Sequence, residues 1–491
     1  MTAEHVEARP GAYADSVTLM QVSADVQRAA DVQAALIAMA TELNVGLAAT
    51  MGFQLPRDAG PNDLLIAIRA TDESALSRAK SAVDAALTAR PSVPAGTADA
   101  QPPRTTASAA RASGPGLALV SVPGRFALAE AMDALDAGCD VMIFSDNVPV
   151  EQEILLKDVA AERDLLVMGP DCGTAIVGGV GLGFANAVAV GPIGLVAASG
   201  TGAQQVLCLL DHAGAGVSAA LGVGGRDLSA AVAGRSAKAA LAALDADGGT
   251  ELIVVLSKPP DPGVAADLRD FAERLSTPVQ FAFVGPGAPD LTAATETALT
   301  ALGLPVPMWP AWIGPPDQPR PGLLRGLFAG GTLCDEAMVI ATGLLGPIQS
   351  NIPLQPELRV APLAAPQTTG PSGHAMIDFG DDELTAGRAH PMIDQSLRLE
   401  RLAAEAADPA VAVLLLDVVL GHGAHPDPAA ELVPAIAAAR ERSGVAVVVA
   451  LIGAKADPQG LDRQATALQA AGAHVFGSNA AAARFACGLI A

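Results

Sequence analysis

Apolar and polar positions change their pattern near residue 91, and this change divides the chain. Before it, the spacing of apolar residues predicts a strand, an amphipathic helix, a second strand and a second helix, at 16–24, 32–43, 63–70 and 73–89. These four segments predict a small α/β sandwich of a ferredoxin-like kind over residues 1–90.

Residues 91–116 have no apolar period and are rich in Pro, Ala, Ser, Thr and Gly. Such a composition is typical of flexible linkers. We therefore expect the small domain to be joined to the rest of the chain by a linker.

Beyond the linker, short apolar runs alternate with Ala-rich helical segments at the spacing of strand–helix–strand units. The pattern predicts an α/β fold with three further domains. A Rossmann-like domain is expected at 117–190 and doubly wound domains at 191–310 and 323–491, with a Pro- and Trp-rich connector at 300–322.

Composition supports buried parallel sheets and limits the partners. Of the 491 residues 51% are apolar but only 3% aromatic, so Ala, Val, Leu and Ile must fill the cores. Acidic residues outnumber basic ones by 52 to 29. Such a surface repels nucleic acid and anionic lipid, so an anionic substrate must be held by local cations or helix N-termini. Alternatively, the charge serves only solubility.

Cysteine usage and apolar run length indicate the compartment. The five cysteines are an odd number without a CxxC motif, which favours a reducing compartment and no structural zinc. The first thirty residues do not resemble a signal peptide. The longest apolar runs, 411–416 and 445–452, are shorter than the roughly 20 residues of a membrane helix. We expect a cytoplasmic protein.

The first candidate site is the turn Ser199-Gly200-Thr201-Gly202, which follows an apolar strand and opens a helix. Free N–H groups and the positive end of the helix predict a seat for phosphate or carboxylate. The alternative is an ordinary helix cap with glycines for a tight turn.

Two cations also follow predicted strands. Arg226, in GVGGRDLS, can bind an anion through two hydrogen bonds or can pair with Asp227. Lys258, in LSKPP, occupies a strand end, where α/β proteins bind ligands, or is a solvated loop lysine.

Residues 374–394 hold the densest set of polar side chains, among them Asp381, Asp382, Arg388 and His390. Carboxylates and histidine suit acid–base catalysis, Arg388 suits an anion, and Mg²⁺ suits the two aspartates. The alternative is a capped loop in which Arg388 neutralises the aspartates. His422 and His425 have the spacing of a metal pair but no third ligand, so turn-shaping is the other interpretation.

Longer runs carry a resemblance to a known family. ALVSVPG, ALDAGCDVMIFSDNVPVEQEILLKDVA and LLVMGPDCGTAI resemble the CoA-binding domain of the succinyl-CoA synthetase α subunit. The segment from Gly194 resembles the domain after it, and 376–426 resembles the C-terminal domain of the β subunit. The runs AASGTG, GVGGRDLS, LSKPP, FAGGTL, GDDELTAGRAHPMID and LLLDVVLGHGAHPDP together resemble the FdrA family.

The resemblance implies a fold and a CoA-type site. The fold is a Rossmann-like CoA-binding domain followed by two flavodoxin-like ligase-CoA domains, with a small α+β domain in front. Ser121, Pro123 and Cys172 match positions beside CoA in the synthetases, although a buried structural thiol at Cys172 is an equal alternative. The Ser199 turn matches the one that holds the phosphoryl group.

The resemblance also implies two activities: acyl-CoA synthesis, or carbamoyl transfer between carbamoyl phosphate and oxamate, with partner proteins, in purine catabolism. Three departures weaken the first. No ATP-grasp stretch follows the domain at 191–310, and the loop after 278–285 lacks the phosphohistidine. The Gly-rich turn that binds CoA in the synthetases is replaced by the small N-terminal domain and the linker. Carbamoyl transfer within a hetero-oligomer is therefore the expectation, with Mg²⁺ or CoA as the candidate cofactors. The alternatives are an ADP-forming acyl-CoA synthetase subunit with a separate ATP-grasp partner, and a non-catalytic CoA-binding scaffold.

Overall fold

The computed structural model describes residues 2–10, 12, 14, 16–56, 60, 63–88, 103–360, 371–385 and 389–490. The chain forms two compact units. One contains residues up to 103 together with 385–394, and the other contains 104–384 and 395–491.

The first unit is a three-stranded antiparallel sheet with helices on both faces. Its elements are β1 (Ala3–Arg9), α1 (Ser16–Arg28), β2 (Val32–Met39), α2 (Glu42–Thr50), β3 (Leu64–Ala70) and α3 (Glu73–Thr88). The strand order is β1-β3-β2. Leu19 of α1 and Val83 of α3 join the core on one face, and Ala48 of α2 joins the core on the other. The central strand β3 is therefore apolar on both sides.

Two of the four segments predicted here have the opposite structure. The strand predicted at 16–24 is helix α1, because its buried residues Leu19, Val22 and Val26 recur at helical spacing. The helix predicted at 32–43 is strand β2 over most of its length, where buried Ala35 and Ile37 alternate with more exposed neighbours. The predictions for 63–70 and 73–89 are confirmed by β3 and α3.

The second unit begins with helix α4 (Thr106–Ser113), within the segment predicted to be a linker. Thr105 caps this helix by accepting a hydrogen bond from the Ser108 N–H, and the Ser108 hydroxyl oxygen accepts one from the Thr105 N–H. The linker prediction is wrong for these residues. Its earlier part, 91–102, lies outside the described residues.

A small parallel sheet follows, in the order β4-β5-β6. It is built from β4 (Leu117–Val120), α5 (Gly124–Asp136), β5 (Asp140–Ile143), α6 (Val150–Glu162) and β6 (Val167–Met168). This is the strand–helix alternation predicted for a Rossmann-like domain.

The second sheet has the order β12-β11-β9-β10-β7-β8. Its four parallel strands are extended by an antiparallel hairpin. Residues 174–183, which the sequence grouped with the preceding domain, form this hairpin. The elements are β7 (Thr174–Val177), β8 (Val180–Gly183), β9 (Val190–Ala197), α7 (Gly200–His212), β10 (Val217–Gly222), α8 (Arg235–Ala246), β11 (Leu252–Ser257), α9 (Pro262–Ala272), β12 (Val279–Phe283) and α10 (Leu291–Ala301).

The third sheet has the order β13-β18-β17-β16-β14-β15, parallel except for β13. All residues of β16 and β17 are buried, as expected for strands covered on both faces. The elements are β13 (Ala311–Trp312), β14 (Leu323–Phe328), α11 (Gly331–Leu345), a 3-10 turn (Pro356–Leu358), β15 (Ala375–Asp378), α12 (Asp382–Thr385), α13 (Ser396–Ala407), β16 (Val411–Val419), α14 (Pro428–Ser443), β17 (Ala446–Ile452), α15 (Leu461–Ala470), β18 (His474–Phe476) and α16 (Asn479–Gly488).

Within the described ranges, every helix is too short or too polar to cross a membrane.

Candidate anion-binding site

Two strand–turn–helix units of the larger unit bring their helix starts together. Ser199 follows β9 and caps α7 by accepting a hydrogen bond from the Gly202 N–H, with a donor–acceptor distance of 3.1 Å. The Ser199 hydroxyl in turn donates to Thr332 Oγ1, at the start of α11, over 2.6 Å. The first N–H groups of a helix have no acceptor within the helix. The positive ends of α7 and α11 therefore face one place.

Glycines make this close approach feasible. A Cβ atom added at Gly330 would lie 2.8 Å from the Thr201 Cβ, and one added at Gly202 would lie 3.0 Å from the Thr332 methyl. Neither separation leaves room for a side chain. The glycines of SGTG and GGT are thus needed for the two helix starts to touch. An ordinary helix cap, the alternative considered from the sequence, would not require this contact between two helices.

A buried ion pair holds the turn before α11. Asp417, in the middle of β16, accepts hydrogen bonds from the N–H groups of Ala329 and Gly330, over 2.7 and 2.8 Å. Arg398 donates to the Asp417 carboxylate over 2.7 Å, and both side chains are buried. Burial raises the pKa of Asp417, whereas Arg398 lowers it. The sequence analysis missed both residues, although a lone aspartate within the apolar run VAVLLLDVV was a signal.

Lys258 and Asp378 flank the first residue of α11. A Cβ atom added at Gly331 would lie 2.7 Å from Asp378 Oδ2 and 3.7 Å from Lys258 Nζ. Lys258 forms an ion pair with Asp335 over 2.7 Å, and its side chain is 48% exposed. Asp378 ends β15, is 6% exposed, and accepts a hydrogen bond from the Gly380 N–H over 2.8 Å. A cation and a buried carboxyl group therefore lie together at the start of α11, within the candidate site.

The pKa values of Asp378 and Lys258 are shifted by their surroundings. Burial raises the pKa of Asp378 to about 7, although the Gly380 N–H and Lys258 act in the opposite direction. Desolvation lowers the pKa of Lys258, but the Asp335 carboxylate outweighs it and holds the value above that of an ordinary lysine. Lys258 is therefore a cation at neutral pH, whereas the pKa of Asp378 lies close to neutral pH.

Arg226 lies elsewhere in the larger unit. It donates to the Val148 carbonyl over 2.8 Å and pairs with buried Glu153 over 2.9 Å. Asp227, the partner considered from the sequence, instead binds Lys157 over 2.8 Å. Nearly half of the Arg226 side chain stays exposed. Arg226 therefore packs against α6 and keeps one exposed edge.

Asp381 and Asp382 begin the short helix α12. Asp381 accepts a hydrogen bond from the Glu383 N–H over 3.0 Å, which is the capping role considered from the sequence. Partial burial and the charges of Asp146 and Asp381 raise the pKa of Asp382, and Arg226 lowers it. The structure therefore brings Asp382 into the electrostatic range of Arg226.

The last part of the polar segment, 385–394, belongs to a different unit from these aspartates. His390 accepts a hydrogen bond from the Met392 N–H over 3.2 Å and belongs to the unit that contains the N-terminal residues. Arg388 lies outside the described residues. The segment 374–394, treated as one site in the sequence, is divided between the two units.

Histidines elsewhere have structural partners. His374 accepts a hydrogen bond from the Leu324 N–H, and burial lowers its pKa. His425 accepts one from the Asp427 N–H over 3.0 Å. In the part of the chain that the structure describes, no three His, Cys, Asp or Glu side chains are placed to hold a metal ion. The histidine pair therefore gains no third protein ligand of these types there.

The three CoA-type residues differ in exposure. Ser121 is half-buried and Pro123 exposed, directly before α5, whose first turn has no side-chain cap. Cys172 is 2% exposed, and burial raises its pKa to about 12. Its thiol faces the Thr174 carbonyl, which favours the structural alternative.

Comparisons with family models match both ends of the chain. Residues 327–489 match the CoA-ligase domain, which includes α11, Asp378 and Asp417. Residues 1–103 match a domain described as "AllF, heavy metal-associated domain". That stretch contains no cysteine and one histidine, His5, which pairs with Glu7 over 3.0 Å. Its residues therefore do not fit a thiolate site for a heavy metal.

Individual relatives extend the likeness over the whole chain. The chain is 37% identical over 492 aligned residues to the uncharacterized protein YahF of Escherichia coli K12, covering 94% of each. It is 31% identical over 127 residues to the ADP-forming succinate–CoA ligase subunit alpha of Aquifex aeolicus, covering 25% of this chain and 42% of that one. Among solved structures, the dinucleotide-forming acetyl-CoA synthetase 1 of Ca. Korarchaeum cryptofilum matches 76% of this chain and 82% of its own, at 16% identity and a TM-score of 0.28.

Proposed function

Because this chain belongs to the FdrA family of acyl-CoA-synthetase-like proteins, we propose that it is a subunit of a carbamoyltransferase. The reaction moves a carbamoyl group between carbamoyl phosphate and oxamate. The observation that carries the proposal is the meeting of the α7 and α11 helix starts beside Lys258. Together they supply N–H donors, hydroxyl groups and one cation to a phosphate group.

Such a cradle suits a reaction in which phosphate is the leaving group. In carbamoyl transfer, negative charge grows on the bridging oxygen as the carbon–oxygen bond breaks. Helix N-termini and Lys258 stabilise that charge without rearranging, because they are fixed before the substrate binds. Most of the remaining catalysis comes from holding two small anions side by side. Neither charge stabilisation nor the positioning of the two substrates requires ATP or a protein nucleophile.

The loop between β12 and α10 supports this choice over phosphoryl relay. In the synthetases that this chain resembles, the corresponding loop carries the phosphohistidine. Here it is the segment 284–290, VGPGAPD, which contains no histidine. A substrate that arrives already phosphorylated, as carbamoyl phosphate does, does not depend on that residue.

A second function is favoured by a different observation. The CoA-ligase match over 327–489 and the uncapped start of α5 beside Ser121 and Pro123 both suit an acyl-CoA synthetase subunit. That enzyme would take its ATP-grasp domain from a partner chain. In either case the remaining substrate contacts come from partner proteins, and in a third alternative the chain only binds CoA.

The experiment uses the protein co-purified with its native partners. Phosphate release from carbamoyl phosphate is measured with and without oxamate, for the wild type and for Lys258→Gln. We expect oxamate-dependent release, with the KM for carbamoyl phosphate raised at least tenfold in the variant because the cradle loses its cation. Lys238→Gln is the matched control, since Lys238 forms a surface pair with Asp267.

Two outcomes would contradict the proposal. One is the absence of oxamate-dependent release from a complex that forms acyl-CoA from ATP and CoA. The other is oxamate-dependent release with the same KM in Lys258→Gln and the wild type, which would remove Lys258 from the site.

A further inference from the structure

Asp378 is a buried carboxyl group beside the start of α11 and Lys258. Its Oδ2 would lie 2.7 Å from a Cβ atom at Gly331, the first residue of α11. Oδ1 accepts the Gly380 N–H, but among the described residues Oδ2 accepts no hydrogen bond. Asp378 as a residue is only 6% exposed, so an oxygen of a largely buried carboxyl group lies beside a helix start and is left for a ligand.

A carboxylate is an unfavourable neighbour for a bound phosphate, so its place calls for a reason other than anion binding. The main chain already fixes this strand end, because the Asp378 N–H and C=O both bind the side chain of Asn351, over 2.9 Å each. An apolar residue would therefore keep these main-chain bonds and lose the one that Oδ1 accepts from the Gly380 N–H. The carboxyl group is better explained by the chemistry of the other substrate.

The groups facing Asp378 leave it close to balance between its two protonation states. They are Lys258 after β11, Cys334 on α11, Asp417 on β16 and Asp381 on its own loop. The cation Lys258 is shared with Asp335, so it only partly compensates the buried carboxylate. Asp378 can accordingly both accept and release a proton near neutral pH.

We propose that Asp378 is the general base that takes the proton from the attacking carboxamide nitrogen. This inference rests on the proposed carbamoyl transfer. The amide nitrogen of the acceptor forms a bond to the carbamoyl carbon, and the bond from that carbon to the bridging phosphate oxygen breaks. The electron pair of that bond leaves with the phosphate. The proton of the nitrogen passes to Asp378 Oδ2.

The reverse reaction uses the same group in its other state. Protonated Asp378 donates to the departing amide nitrogen while phosphate attacks the carbamoyl carbon. An amide is a poor nucleophile and a poor leaving group, so proton transfer is needed in both directions. This requirement selects an acceptor with an N–H group, and it predicts that an acceptor with a tertiary amide will not react.

The test compares Asp378→Asn with the wild type in the co-purified complex. Asparagine keeps the Gly380 hydrogen bond and the volume, but it cannot take a proton. A positioned general base contributes about 10²–10⁴-fold. We therefore expect kcat for the oxamate-dependent reaction to fall by at least about 10²-fold, with KM for carbamoyl phosphate changed less than about threefold. Exposed Glu383→Gln, five residues further along, is the matched control.

The pH profile separates a catalytic from a structural role. The wild-type kcat should rise as Asp378 deprotonates, and the residual kcat of Asp378→Asn should be flat across the same range. A variant with wild-type kcat and profile would overturn the inference while leaving the transferase intact. If the asparagine variant does not fold, the wild-type profile decides alone, because a kcat independent of pH from about 5 to 8 would exclude this base. A complex with no oxamate-dependent release would instead contradict the proposed function itself.

Discussion

Replacing Asp378 by asparagine should stabilise the fold at alkaline pH and leave it unchanged in acid. Burial raises the pKa of Asp378 from 3.8 to about 7, so the folded state binds a proton more tightly than the unfolded state. Stability is therefore lost as pH rises from about 4 to about 7, and the loss is complete above that range. A shift of roughly three units at 1.36 kcal/mol each corresponds to about 4 kcal/mol. Asparagine resembles the protonated acid and escapes this loss.

The assay is denaturant unfolding of both proteins at several pH values from about 4.5 to 8. The difference in free energy of unfolding should be near zero at the acid end. It should grow to between about 1 and 4 kcal/mol at the alkaline end, because water penetration reduces the full value. Glu383→Gln controls for the loss of one negative charge, because Glu383 is exposed. A difference that is the same at every pH would refute the burial argument for Asp378.

Three further predictions concern the larger unit. Arg398→Met leaves Asp417 buried without its cation and should lower the free energy of unfolding by about 3–5 kcal/mol, which chemical denaturation measures; a loss under about 1 kcal/mol would contradict the pairing. Gly330→Ala should collide with Thr201 and reduce kcat/KM about 10²-fold, since misplacement of about 1 Å suffices; near-normal turnover would mean that the helix starts need not touch. Cys172 should react with a maleimide only after unfolding, as followed by mass spectrometry, and rapid labelling of the native protein would count against its burial.

Much of the α/β architecture could be predicted because long apolar runs are unambiguous. β16 and β17 read as buried strands since all of their residues are apolar or enclosed. The first unit was harder, because short segments of mixed polarity fit both periods. The segment 16–24 is rich in β-branched residues yet forms α1, whose helix is stabilised by packing of Leu19 and Val22 rather than by propensity.

The candidate site could be predicted only in part, because its residues meet through the tertiary fold. Ser199 and Lys258 were found because each follows a strand and belongs to a local motif. Asp378 lies within the polar segment 374–394 but was not singled out there, and it is 47 positions away in sequence from Gly331, which it approaches in the structure. Asp417 was missed because a buried charge inside a strand has no local pattern. Contacts among the second sheet, the third sheet and their helices, and not the spacing of residues along the chain, bring these side chains together.

The most direct test of the central claim is to follow an isotopically labelled carbamoyl group. The complex co-purified with its native partners is given carbamoyl phosphate labelled at carbon, together with oxamate, and the products are separated by mass spectrometry. Carbamoyl transfer predicts that the label appears in oxalurate in step with the phosphate released, and that both fall together in Lys258→Gln. Label found only in cyanate and bicarbonate, at the same rate with or without oxamate, would contradict the account.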